Sequence, residues 1–145
     1  MTTAQRVFDI AMGLIDEVNE NSGATDTPDT REYKARTLLI LNALRGELYP
    51  YSDTYIEAEE KGKRAICAVI EDFDAPVDLD DFLCQSIMPY GLAAQLLLSE
   101  DAASASFLQQ RYEELLRSRI SAVPKRFERI YDMYGGIEHG EYGRW

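Results

Sequence analysis

Few residues of this chain have the types and spacing that chemistry demands, and the densest group is acidic: Glu71, Asp72, Asp74, Asp78, Asp80 and Asp81 share one short segment. Crowded carboxylate oxygens suit calcium or magnesium. An EF-hand loop counted from Asp72 needs glycine at the sixth position and glutamate at the twelfth. The fifth is Pro76, the sixth Val77 and the twelfth Leu83, so the spacing fails. The segment is expected to be a solvated acidic loop leading into a helix N-cap, where aspartates complement the helix dipole.

His139 is the only histidine, flanked by Glu138 and Glu141, and one histidine cannot build a multi-histidine metal centre. It could act as a general base beside a carboxylate, but no GxSxG elbow accompanies it. Cys67 and Cys84 form no CxxC pair and have no basic neighbour to activate a thiolate, so two buried, reduced thiols are expected. Gly135-Gly136-Ile137-Glu138-His139-Gly140 lacks the GxGxxG spacing, and Gly62-Lys63-Arg64 lacks the hydroxyl residue and upstream glycine of a P-loop. No catalytic, cofactor-binding or metal-binding residue is expected.

The formal charge of −11 comes mainly from the first thirty residues and from residues 53–81, whereas residues 31–52 are net positive and 121–145 are balanced. That balance argues against nucleic acid as the main partner, because phosphate contacts depend on Lys and Arg. Arg111, Arg117 and Arg119 are expected to be solvated or paired with Glu113 and Glu114 rather than gathered into a basic patch. No apolar run approaches a membrane span, and the opening Met1-Thr2-Thr3-Ala4-Gln5-Arg6 is unlike a signal peptide, which leads to an expectation of the cytoplasm.

With 145 residues, 46% of them hydrophobic, the chain has the size and composition of one folded domain. Val7, Ile10, Ala11, Leu14, Ile15 and Val18 recur at helical spacing, predicting an amphipathic helix over 4–20 that ends at Asn21-Ser22-Gly23. Thr27-Pro28 reads as an N-cap followed by a first-turn proline. The second helix then runs to about Leu48, burying Leu38, Leu41, Leu44 and Leu48, and stops before Pro50. Residues 49–78 are expected to be irregular with at most one short strand, Ala65–Ile70 being readable as helix or strand.

A third helix is expected from Asp78, with Leu79, Phe82, Leu83, Ser86, Ile87, Tyr90, Ala94 and Leu97 on one side. Pro89 in its interior, with Gly91 beside it, should kink or split it. Gly91 with Ala93-Ala94 also has a plainer reading, as small residues that let two helices approach. Ser99-Glu100-Asp101 supplies a break and a cap. A fourth helix, from about Ala102 to Ile120, should bury Ala105, Leu108, Tyr112, Leu115 and Leu116. The expected fold is mainly α: a bundle of about four helices over 1–120, with an irregular central segment.

Residues 121–145 differ in character, holding five of the chain's fifteen aromatics (Phe127, Tyr131, Tyr134, Tyr142 and Trp145) and four of its nine glycines. Disordered tails are poor in aromatics, so this extended tail is expected to lie on a surface. Tyr131 and Tyr134 could pack on their own bundle or dock on a partner; Tyr142 and Trp145 are expected to dock.

Met88-Pro89-Tyr90-Gly91-Leu92-Ala93-Ala94, the acidic break at Glu100-Asp101, and Gln109-Gln110-Arg111-Tyr112-Glu113-Glu114-Leu115-Leu116 resemble a block of tailed-phage and prophage head-tail connector proteins. The ending from Ile130 to Trp145 is similar to the tail of the same group, so the resemblance spans roughly residues 78–145. It implies a non-enzymatic virion subunit that forms a homo-oligomeric ring in the neck. That ring would sit between the portal protein and the tail or stopper proteins, with DNA passing through it.

The resemblance also implies a stay in the host cytoplasm before assembly, and a C-terminal segment that docks on the portal. Under this reading part of the acid, at Asp74, Asp78, Asp80 and Asp81, could line a channel and repel passing DNA, or simply keep the protein soluble. The alternative is a small acidic helical binding module, a phage regulator or assembly factor that stays outside the virion. An enzyme with an unrecognised site is the third class.

Overall fold

A computed structural model of the protein describes residues 1–16, 20–53, 61–62 and 68–122. It is mainly α, a small bundle of four helices: α1 (Ala4–Leu14), α2 (Arg31–Leu48), α3 (Met88–Leu97) and α4 (Ala102–Ala122). Among the described residues no strand forms, and the one β-bridge pairs Thr3 with Pro76. The tail aromatics Phe127, Tyr131, Tyr134, Tyr142 and Trp145, together with Cys67 and His139, lie outside the described residues.

Helix α1 starts where Thr3, in an extended conformation, accepts a hydrogen bond from the Arg6 N–H at its hydroxyl. It buries Ala4, Val7, Phe8, Ala11 and Met12, while Ile10 is half-buried. The core face is thus turned from the expected one, because the periodic series begins at Ala4 and recruits the larger Phe8 and Met12. Burying such side chains is worth about 2 kcal/mol each. The helix ends at Leu14, before the expected Asn21-Ser22-Gly23, because Asp16 enters the left-handed region at φ 61°.

The Thr27-Pro28 start opens a 3-10 turn, Pro28–Thr30, in which the buried Thr30 hydroxyl accepts from the Thr27 N–H at 3.0 Å and donates to the Thr25 carbonyl at 2.7 Å. Helix α2 follows and stops at Leu48, ahead of Pro50. Leu41, Leu44 and Leu48 are buried as expected, Leu38 only in part, and Tyr33, Thr37 and Arg45 join the same face.

The expected third helix begins later than Asp78 and changes pitch. Asp81–Phe82 are α-helical, Leu83–Ile87 form a π turn in which the Met88 N–H donates to the Leu83 carbonyl, and α3 continues from Met88. Pro89 is the second residue of α3, so its missing N–H and its ring fall where the backbone ladder has already been widened. The extra residue rotates the apolar face: Phe82, expected inside, is 53% exposed, and Tyr90 and Leu97 are half-buried, whereas Cys84, Met88, Leu92, Ala93 and Leu96 are buried.

Helix α3 is the centre of the bundle and packs against α1, α2 and α4. Its burial on nearly all sides matches its lack of any charged residue. Gly91 explains how α2 and α4 come so near it: a Cβ there would stand 3.0 Å from both Leu44 Cδ2 and Tyr112 Cε2. The small residue is therefore used for close helix packing within the subunit.

Asp101 caps α4, accepting from the Ser104 N–H at 3.1 Å and from its hydroxyl at 2.6 Å. Ala105, Leu108 and Tyr112 are buried, and Leu115 and Leu116 partly so.

Candidate functional surface

The acidic segment is built into the fold. Asp81 Oδ1 accepts from the Thr2 N–H at 2.8 Å and from the Thr2 hydroxyl at 2.7 Å, and chiefly that hydroxyl holds the Asp81 carboxyl below the ordinary carboxylate range. Around this contact the Val77 N–H donates to the Thr2 carbonyl, and the Ala4 and Gln5 N–H groups donate to the Ala75 and Phe73 carbonyls. Those last two bonds satisfy orphan donors of the first turn of α1.

Asp80 Oδ2 accepts from the Asp53 N–H at 3.1 Å and lies 3.8 Å from Arg119. Asp78, at φ 61°, places its carboxylate 3.4 Å from Arg45, and Asp72 closes a turn by accepting from the Ala75 N–H at 2.7 Å. The acidic segment is thus solvent-exposed, as expected, and also braces the bundle; among the described residues no group of three or more potential ligands could hold a metal ion. Of the four aspartates considered for a channel, Asp74, Asp78 and Asp81 are exposed and Asp80 is half-buried, and Asp78, Asp80 and Asp81 also bond within the subunit.

Helix α2 holds the other edge of this segment. Asn42 imitates a strand neighbour for Ile70, accepting its N–H at 2.8 Å and donating to its carbonyl at 3.1 Å. Arg45, only 4% exposed, donates to the Ala68 carbonyl as well as meeting Asp78. Of the three arginines of α4, Arg111 pairs with Glu114 at 3.5 Å and Arg117 with Glu113 at 4.0 Å, as expected. Arg119 instead reaches Asp80 and lies over the ring of Phe82, 5.2 Å from its centroid, which gives that exposed aromatic a cover.

The Cys84 thiol is fully buried and unpaired to another sulfur; burial above all, with the charge of Asp81, pushes it up to about 12. It is a packing residue rather than a nucleophile.

A concave surface lies where the end of α1, the start of α2 and the α3–α4 turn converge, a groove of about 660 Å³. Its floor is apolar, from Leu14, Ile15, Leu97, Phe107 and Leu108, and three carboxylates border it: Asp16, Glu100 and Asp101. Glu100 is held there by the Tyr33 hydroxyl, which donates to it, and the Asp101 carboxyl is kept below its ordinary range chiefly by the Ser104 hydroxyl. Among the described residues no Lys or Arg lines the groove. Two smaller depressions of about 310 and 330 Å³ share Gln95 and present Leu98 and Leu39.

None of the sequence-derived docking residues Tyr131, Tyr134, Tyr142 and Trp145 can be placed, since they lie outside the described residues; Pro89 and Gly91 are buried in α3. The sequence places Asp16 on the polar face of the first helix but does not mark Tyr33 or Phe107 as surface-forming. Phe107 carried a usable signal, because it falls out of phase with the buried series of α4 and is 69% exposed. Comparison of the chain with protein-family profiles, with curated proteins and with solved structures finds no match.

Proposed function

We propose that this protein is a non-enzymatic structural subunit of a tailed phage or prophage, a head-tail connector that forms a homo-oligomeric ring between portal and tail. The observation that carries the reading is where the resembling block falls. Met88–Leu116 makes up α3, the tight turn and most of α4, and its distinctive residues are those that set the packing: Pro89 after the π turn, Gly91 against Leu44 and Tyr112, and Asp101 as the cap of α4. Likeness in residues with such specific backbone and packing roles argues for a shared architecture more strongly than likeness in surface residues would.

The test is reconstitution of the full chain with a portal protein from the same genome, followed by light scattering and electron microscopy. A stoichiometric ring on the portal is the expected outcome, and the protein should be present at ring stoichiometry in purified particles. Absence from particles, with binding to some other soluble protein, would instead favour a small acidic binding module.

A further inference from the structure

We propose that the groove between α1, α2 and the α3–α4 turn is the receptor for a second copy of this chain, which inserts its basic, aromatic segment Lys125–Tyr131. The inference rests on the reading of a self-assembling subunit and names the surfaces through which copies meet. Two observations single out this occupant.

The first is charge. The groove presents an apolar floor with an exposed Phe107 and a rim of Asp16, Glu100 and Asp101, with no cation lining it among the described residues. In a chain of net charge −11, segments that match such a rim are scarce. Lys125-Arg126-Phe127-Glu128-Arg129-Ile130-Tyr131 places three cations, one acid and three apolar or aromatic residues in seven positions, the composition that rim and floor call for together.

The second is reach. Helix α4 runs from beside the groove to Ala122, so Asp101 lies 21 residues back along it, about 32 Å from its end. Arg126 stands four residues past Ala122 and can be at most about 14 Å from it in any conformation. The remaining gap of about 18 Å exceeds what the two side chains span. The Lys125-Arg126 pair therefore cannot meet Asp101 in its own chain, so seating the whole segment with its first two cations on that carboxylate takes another copy. Segment and groove are different surfaces of the chain, so the contact can repeat head-to-tail from copy to copy, the type that closes into rings.

A labelled synthetic peptide of residues 123–145 tests this against the full chain carrying Arg126→Glu and Arg129→Glu, so that the segments of other copies cannot compete. Fluorescence anisotropy is expected to show saturable one-to-one binding. Phe107→Glu should weaken it about thirtyfold, the loss typical of an aromatic anchor. Raising salt from about 0.05 M to about 0.5 M should weaken it about tenfold or more.

Leu39→Glu, on a different exposed face, should leave it unchanged, and far-UV dichroism of both variants checks that the bundle is intact. Failure to saturate, or binding indifferent to Phe107→Glu, overturns the proposal. A ring on the portal without peptide binding would overturn this inference alone. Peptide binding without a ring would overturn the connector reading and leave the groove assigned.

Discussion

Tyr112 forms the wall that forbids a side chain at Gly91: its ring carbons lie 3.0 and 3.1 Å from where a Cβ would be, with Leu44 Cδ2 at 3.0 Å on the other side. Contacts that short require the ring or the helix to move. Gly91→Ala should therefore destabilise the bundle by about 1 kcal/mol, the overpacking cost exceeding the gain in helix propensity. Gly46, exposed in α2 with nothing within 4 Å of a new Cβ, is the control. Gly46→Ala should stabilise by up to about 1 kcal/mol. Urea denaturation of both variants measures the contrast, and equal signs would refute the packing role of Gly91.

Arg45 ties α2 to the acidic segment through the Ala68 carbonyl and Asp78 while buried itself. Arg45→Ala should cost about 2 kcal/mol, since charged hydrogen bonds and buried stem packing are lost together. A loss below about 0.5 kcal/mol in thermal or urea unfolding would show the segment to be held by Asn42 and Thr2 alone.

The acid limb of the stability curve should trace to Asp81 and Asp101, whose carboxyls are lowered chiefly by the hydroxyls of Thr2 and Ser104. A carboxyl with a lower folded than unfolded pKa leaves the unfolded chain binding more protons. Stability is then fully present above the unfolded value near 4 and is lost as pH falls through the folded values. Urea midpoints should be level between about pH 7 and about pH 5 and decline below about pH 4, and Asp81→Asn should flatten that decline. An unchanged slope in the variant would assign the acid limb to other groups.

Cys84 should resist alkylation. With its thiol buried and pushed up to about 12, almost no thiolate exists at pH 8. Iodoacetamide followed by peptide mapping should leave the Cys84 peptide unmodified in the native protein and modify it fully in urea. Rapid native labelling would mean that the π turn around it opens readily.

Much of the bundle is legible in the sequence where the causes are local. The end of α2 before Pro50, the Asp101 cap and the buried series Ala105, Leu108, Tyr112 follow from proline geometry, capping and 3.6-residue periodicity. What is not legible depends on distant partners. One inserted residue in the Leu83–Ile87 turn rotates a whole apolar face and exposes Phe82, and no compositional pattern marks such an insertion beyond the nearby Pro89. Residues 68–81 show no period because they are held by Asn42, Arg45 and Thr2, across 23 to 79 positions. The groove arises from three elements together, so only the out-of-phase Phe107 foreshadows it.

The clasp between Thr2 and Asp81 joins positions 79 apart, which sets an order of events for a chain emerging from the ribosome. Helix α1 is made first, yet the partners of its opening N–H groups, Phe73 and Ala75, and the helix α3 against which it packs are all made later. Until then Phe8 and Met12 have no core to enter. The α3–α4 hairpin, with its four-residue connection, closes a short loop and assembles early, whereas the N-terminal helix must wait for a long one. Among the described elements, α1 is thus expected to lock last, its apolar face exposed until α3 has been made.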